Sequence, residues 1–126
     1  SRLALAWEFG GNVSWVNVTL APESGGTRLE LEHIAHIDPH WEKFGPGATG
    51  VGWDLALYGL ELHLPDRTKE VSREGEAWMA TDEGKAFVRE AAADWGRAAI
   101  ASGEPEANAL ASAERTRKFY CGEQVD

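Results

Sequence analysis

Apolar and polar residues alternate along the first third of the chain with a period of two, which predicts half-buried β-strands. The apolar residues of the first strand are the odd ones from Leu3 to Phe9, and in the third strand Leu29 and Leu31 alternate with charged residues. Residues 13–20 lie between these strands and are rich in β-branched residues. Because short turns join the three strands, the pattern predicts an antiparallel meander with one apolar face.

The remaining residues have a helical pattern. Residues 51–64 are apolar at most positions, which predicts a helix that is buried on more than one side and ends at Pro65. The segment before this helix, residues 36–50, is predicted to be irregular. We expect the glycines of residues 45–52 to allow close approach of the backbone to the sheet and its neighbours.

Residues 66–76 are rich in charges and are predicted to form a solvated linker. Thr81 has the chemistry of an N-cap, and Gly103 that of a helix stop, which together predict a helix. Its apolar stripe is expected at Phe87, Ala91, Trp95 and Ala98 or Ala99. Pro105 is expected to open a last helix over residues 105–119.

The charge balance argues against two classes of partner. The chain has a formal net charge of -9 and no long basic cluster, so we expect no binding to nucleic acid and none to an anionic membrane. Cys121 is the only cysteine, which excludes an intramolecular disulfide and fits a reducing compartment. No apolar run approaches about 18–20 residues and no signal-peptide pattern is present, so the sequence predicts a cytoplasmic protein.

No motif predicts catalysis, and we expect no catalytic residue, no metal ligand and no cofactor. His33, His36 and His40 are imidazoles in a row, but their spacing does not bring them to one helical face. The glycine-rich residues 45–52 lack the lysine of a phosphate-binding loop, and no nucleophile elbow occurs. Asp54 and His63 flank the apolar helix, and a pocket in which one of them titrates stays open as an alternative.

Three stretches together resemble a known family: residues 2–9 (RLALAWEF), 26–33 (GTRLELEH) and 41–53 (WEKFGPGATGVGW). They are similar to the bacterial SRPBCC, or START-like, proteins, in the branch close to the C-terminal domain of heat-shock-protein ATPase activators. The resemblance implies an α+β helix-grip fold of the START/Bet v type, in which an antiparallel sheet packs on a long helix. It also implies that the chain is the C-terminal part of such a domain. Residues 1–64 are then a partial helix-grip domain and residues 65–126 a charged linker with a helical extension.

The resemblance also supplies a functional expectation, because relatives bind lipids, polyketides, hormones and other apolar ligands. We therefore expect a small hydrophobic ligand in a cavity between sheet and helix. The residues expected to line it are Leu5, Trp7, Val16, Val18, Leu31, Trp53, Leu57 and Tyr58. Three alternatives stay open: an ordinary packed core at these positions, a protein-interaction or cochaperone-like regulatory domain, and a hydrolase or cyclase that uses Asp54, His33 or His63.

A sheet of three strands leaves open edges, and an open edge invites pairing with another chain. We expect a homodimer or a domain swap through the strand that begins at Leu3.

Overall fold

The computed structural model describes all residues from Ser1 to Asp126, and they form two compact units, Ser1–Asp38 and Pro39–Asp126. The first unit is a three-stranded antiparallel sheet, and the second consists of five helices. The predicted α+β class is therefore confirmed. The boundary between residues 64 and 65 follows from the family resemblance and stays a prediction.

The sheet is the predicted meander. Strands β1 (Arg2–Phe9), β2 (Asn12–Glu23) and β3 (Gly26–Ala35) are ordered β1-β2-β3, with antiparallel pairing throughout. The first turn is made by Gly10 and Gly11, which have φ angles of 57° and 83°. Two successive residues with positive φ form the turn that matches the twist of a hairpin, and glycine adopts this conformation without steric cost.

The register of the strands places most of the large apolar residues on one side of the sheet, whereas Val13, Trp15 and Ile34 lie on the other. Leu3 lies opposite Val18, and Val18 lies opposite Leu31, so these three side chains share a face. We call this side the apolar sheet face, and its apolar members are Leu3, Leu5, Trp7, Phe9, Val16, Val18, Leu20, Leu29 and Leu31. The other side carries the charges of β3 and a row of hydrogen bonds from Arg2 to Asn17 (3.3 Å) and from Asn17 to Glu32 (3.0 Å). The alternation predicted from sequence is thus confirmed.

The helices are α1 (Pro39–Phe44), α2 (Gly47–His63), α3 (Val71–Met79), α4 (Asp82–Ala101) and α5 (Glu106–Tyr120). Two sequence predictions are wrong here. Most of the segment predicted to be irregular is helical, because α1 and the first turn of α2 occupy it with only a short break at Gly45 (φ 58°). The second half of the predicted linker belongs to α3, which is amphipathic despite its charges.

The predicted start of α4 is confirmed, because the Thr81 hydroxyl accepts a hydrogen bond from the Gly84 backbone N–H at 3.1 Å. The buried stripe of α4 includes Ala99 as predicted but is otherwise displaced by one residue from the predicted one. Its members are Gly84, Val88, Ala92, Gly96 and Ala99. Pro105 is the N-cap of α5 and not its first helical residue.

Close backbone approach by the glycines near the start of α2 is confirmed, and the neighbours that they approach lie on α4 and α5. A Cβ atom on Gly50 would lie 2.1 Å from Cε2 of Trp95, and one on Gly47 would lie 2.7 Å from Oγ1 of Thr116. Real Cβ atoms do not come this close to other atoms, so these positions require glycine. The helices therefore pack with the α2 backbone directly against side chains of α4 and α5.

Hydrogen bonds reinforce this packing. Nε1 of Trp95 donates to Oδ2 of Asp54 at 2.8 Å, and the hydroxyl of Tyr120 donates to the Ala48 carbonyl at 2.5 Å. Burial raises the pKa of Tyr120, and the nearby Asp54 carboxylate raises it further. The adjoining hydrophobic core consists of Val51, Val88 and Ala92, with partly buried residues, among them Cys121, packed around it.

The end of α5 is held by an ion-pair cluster around Arg117. Its guanidinium donates to both carboxylate oxygens of Glu114, at 2.9 and 2.8 Å, and to both of Glu123, at 2.8 Å each. These hydrogen bonds hold the pKa of both carboxyl groups below the ordinary value of 4.5. Since Glu123 follows the helix, the cluster ties the C-terminal residues back to α5.

We expect Gly50→Ala to destabilise the protein by about 3 kcal/mol or more, at the upper end of overpacking effects, because the added methyl group collides with the Trp95 ring. Gly75→Ala is the matched control, since Gly75 lies inside α3 and a Cβ atom there meets nothing within 4 Å. That variant should be as stable as the native protein, or more stable by up to about 1 kcal/mol. Urea unfolding followed by circular dichroism measures both changes, and equal stability of the two variants would contradict the packing described here.

The Arg117 cluster should open in acid. A carboxyl group whose pKa is lowered by folding stabilises the folded state above its unfolded pKa, and this contribution is lost as the pH falls through the folded pKa. We therefore expect the {1H}-15N heteronuclear NOE of residues 121–124 to decrease below about pH 4.5. In Arg117→Gln the NOE values should already be low at pH 7, and a pH-independent NOE in the native chain would contradict this role.

Candidate functional site

The predicted ligand-binding residues of the sheet unit lie together on the apolar sheet face. These residues are Leu5, Trp7, Val16, Val18 and Leu31. Val16 is buried, whereas the Trp7 side chain is 47% exposed. A polar pair interrupts the face, because Nε2 of His33 lies 2.8 Å from Oγ of Ser14, and burial lowers the pKa of His33. The sequence pattern therefore identified a real apolar surface in this unit.

The three predicted residues of the helical unit all lie on α2, but they do not share one face. Trp53 and Leu57 are four residues apart and project from the same side of the helix. Tyr58 follows Leu57 directly and projects about 100° further around the helix axis. Of these three residues, only Tyr58 lines the concave surface described next.

That surface is a groove of about 1220 Å³ between the C-terminal half of α2 and helix α3. We call it the α2–α3 groove. Its apolar floor is formed by Leu55, Tyr58, Leu62, Val71, Trp78 and Met79. This volume is somewhat above the about 300–1,000 Å³ of most small-molecule clefts, and a lining of apolar and aromatic side chains is typical of such clefts.

A tight turn folds α3 back against α2 and so creates the groove. Oδ1 of Asp66 accepts hydrogen bonds from the Thr68 backbone N–H at 3.0 Å and from the Thr68 hydroxyl at 2.6 Å. These bonds lower the pKa of Asp66. Beyond the turn, Val71 packs over Gly59, where a Cβ atom would lie 3.3 Å from the Val71 side chain. The absence of a side chain at Gly59 thus allows α3 to begin close to α2.

Three aromatic rings fix one end of the groove. The ring of Tyr58 lies 5.2 Å from that of Trp78 and 5.5 Å from that of Phe87, and the rings of Trp78 and Phe87 are 5.6 Å apart. Distances of this size are typical of favourable aromatic pairs. Because the three rings belong to α2, α3 and α4, the cluster joins all three helices beside the groove.

The rim of the groove is charged, with acids in excess. Lys69 pairs with Glu74, and Arg73 pairs with Glu70, each at 3.7 Å. Both basic residues of the rim are therefore paired with carboxylates. Glu76 and Glu83 add two further carboxylates to the lining. A ligand head group at this rim meets a net negative charge.

Two of the residues considered for hydrolase or cyclase chemistry, Asp54 and His63, lie apart on α2. The Asp54 carboxylate accepts the Trp95 indole hydrogen bond, and His63 lies nine residues further along α2, about 13 Å away along the helix axis. His33 belongs to β3 in the other unit, where it contacts Ser14. No three His, Cys, Asp or Glu side chains are grouped in a way that could hold a metal ion.

A smaller groove of about 650 Å³ lies among α1, α4 and α5. Trp41 and Trp95 contribute to its lining, together with Arg115, whose Nη1 donates to the Lys43 carbonyl at 3.1 Å. Its lining mixes small residues with polar ones and has a smaller share of large apolar side chains than the α2–α3 groove.

No protein-family model, curated protein or solved structure matches this chain. None of its helices combines the length and the apolar composition needed to cross a membrane.

The sequence reasoning missed most of the groove, because it assigned residues 66–76 to a linker. The sequence nevertheless contained the pattern of an amphipathic helix in this region. Val71, Gly75, Trp78 and Met79 follow the i, i+4, i+7, i+8 spacing of one helical face, which the surrounding charges obscured.

Proposed function

We propose that the protein binds a small hydrophobic molecule in the α2–α3 groove. The observation that carries this proposal is the apolar, partly aromatic floor of a concave surface whose charged lining residues are all exposed, whereas the His63 imidazole in the lining is half-buried. Such a site removes apolar ligand surface from water and leaves the polar end of the ligand at the opening. The aromatic cluster of Tyr58, Trp78 and Phe87 supports the proposal, because it gives the floor a fixed shape before any ligand binds.

The resemblance to START-like proteins supports the same class of ligand, a small hydrophobic molecule. We also propose that the fold is of the helix-grip type. That resemblance assigns ligand contacts to Trp53 and Leu57, neither of which lines the groove. Helix α2 therefore carries residues of both candidate sites, and substitutions on this one helix distinguish them.

The proposal also specifies the charge of the ligand. The lining holds four carboxylates (Glu70, Glu74, Glu76, Glu83), two cationic groups that are both paired (Lys69, Arg73) and the His63 imidazole. An anionic head group would be repelled by this rim, whereas a neutral or cationic head group would not. We therefore propose a neutral or cationic amphiphile as the ligand and not a fatty-acid anion.

We expect Leu62→Asp to weaken binding of the neutral probe Nile red by about tenfold or more, because it places a charge on the apolar floor; tenfold corresponds to about 1.4 kcal/mol. Leu57→Asp is the matched control, with the same substitution on the same helix at a side chain that is 39% exposed and lies outside the groove. Leu57→Asp should change the dissociation constant by less than about twofold, as measured by fluorescence titration.

Three outcomes are distinguishable in this experiment, provided that circular dichroism shows both variants to be folded. Loss of binding in Leu62→Asp alone supports the α2–α3 groove. Loss in Leu57→Asp alone contradicts the groove and supports the site implied by the family resemblance. Absence of Nile red binding to the native chain contradicts ligand binding itself.

Two ligands of equal chain length but opposite head-group charge should bind with different affinities. We expect dodecylamine to displace Nile red at about tenfold lower concentration than dodecanoate, because the amine carries a positive charge at pH 7 and the carboxylate a negative one. The measurement is made at 150 mM salt to screen the charge of the chain as a whole. Equal potency, or tighter binding of dodecanoate, would contradict the role given to the rim.

A further inference from the structure

The outer edge of β1 can accept another strand. No strand of the chain pairs there, since β1 is the first strand in the order β1-β2-β3. Ser1 and Leu20 exchange both of their backbone hydrogen bonds, at 2.8 and 3.1 Å. Backbone groups in an antiparallel pair alternate in direction along each strand, so every second residue after Ser1 faces β2 and the others face outward. The outward-facing residues of β1 are Arg2, Ala4, Ala6 and Glu8.

We propose that β1 pairs antiparallel with β1 of a second copy of the chain, in the register that places Arg2 opposite Glu8 of that copy. Only outward-facing residues can exchange backbone hydrogen bonds across such an edge, so even-numbered residues must lie opposite even-numbered ones. The two-fold register centred on Leu5 pairs all four outward-facing residues. Registers centred on Ala4 or Ala6 pair only three of them, so the Leu5 register forms the most hydrogen bonds.

The side chains of β1 favour the same register. Arg2 and Glu8 are the only charged residues of the strand, both are exposed, and they project from the same side of the sheet. Two-fold symmetry brings each Arg2 opposite a Glu8, so two pairs of opposite charge form across the new edge. Opposite charges directly across an antiparallel pair are stabilising, and like charges there are destabilising.

The other open edge, β3, does not favour self-pairing in the same way. Its outward-facing residues are the odd-numbered ones, because Thr19 and Glu30 lie opposite each other one residue along from the Ser1–Leu20 pair. The longest two-fold register is then centred on Leu31 and places Glu30 opposite Glu32 of the copy. Like charges at these positions oppose the pairing.

Pairing through β1 joins two apolar sheet faces into one continuous surface, because a two-fold axis perpendicular to the sheet keeps both faces on the same side. Leu3 of each chain then lies opposite Trp7 of the other. The inference depends on the sheet unit alone and is independent of ligand binding in the α2–α3 groove.

A charge-exchange experiment tests the register. Arg2→Glu and Glu8→Arg are prepared separately in the full chain, and self-association is measured by native mass spectrometry and light scattering. We expect the native chain to be dimeric and each variant to self-associate at least about tenfold more weakly, because its two cross-strand pairs become pairs of like charge. An equimolar mixture of the two variants should form a 1:1 heterodimer with nearly native affinity, since both pairs again join opposite charges.

Arg28→Glu is the control, because it changes the net charge by the same amount as Arg2→Glu. Arg28 lies on β3, outside the proposed contact. It should leave the dissociation constant of the dimer within about twofold of the native value. A native chain that is monomeric at high concentration would overturn the proposal, as would a mixture that forms no heterodimer although circular dichroism shows both variants to be folded. Open-ended assemblies larger than dimers would also overturn it, because they indicate pairing of β1 with β3.

Discussion

The close contact between Gly50 of α2 and the indole ring of Trp95 determines how the helical unit packs. With no side chain at this position, the α2 backbone lies directly against the ring. Asp54, one turn further along α2, is then placed to accept the Trp95 hydrogen bond. One turn before Gly50, Gly47 forms the corresponding contact with Thr116 of α5. A single face of α2 thus fixes the positions of two other helices.

Helix α2 divides accordingly into halves with different roles. The N-terminal half uses glycine and alanine to exclude empty space, and its buried residues are Gly47, Ala48, Gly50 and Val51. The C-terminal half carries large apolar side chains that α3 and α4 cover only in part. Dense packing at one end holds the helix in place, so that the other end can border a groove without collapsing into it. We regard this division as the physical basis of the candidate site.

The elements that the sequence predicted correctly are those fixed by local chemistry. The strands follow from strict alternation and from paired glycines at the first turn, and the start of α4 follows from Thr81 alone. The first turn of α2 was missed because glycine and proline disfavour helix in isolation, and contacts with Trp95 and Thr116 override that preference. The groove was missed because it exists only where two helices meet, and the charges of α3 suggested a linker. The residues assigned to the apolar sheet face were correct as a surface, since the register of a meander follows directly from its turns.

Cys121 gives the chain a built-in reporter of local opening. The thiol follows the last residue of α5 and packs against the core of Val51, Val88 and Ala92, where it is only partly accessible. A thiol reagent reacts with an exposed thiolate, so modification proceeds faster from conformations in which the end of α5 has detached. The labelling rate under native conditions therefore increases with the frequency at which this helix end opens, and because no other cysteine competes, the signal arises from one place in the structure.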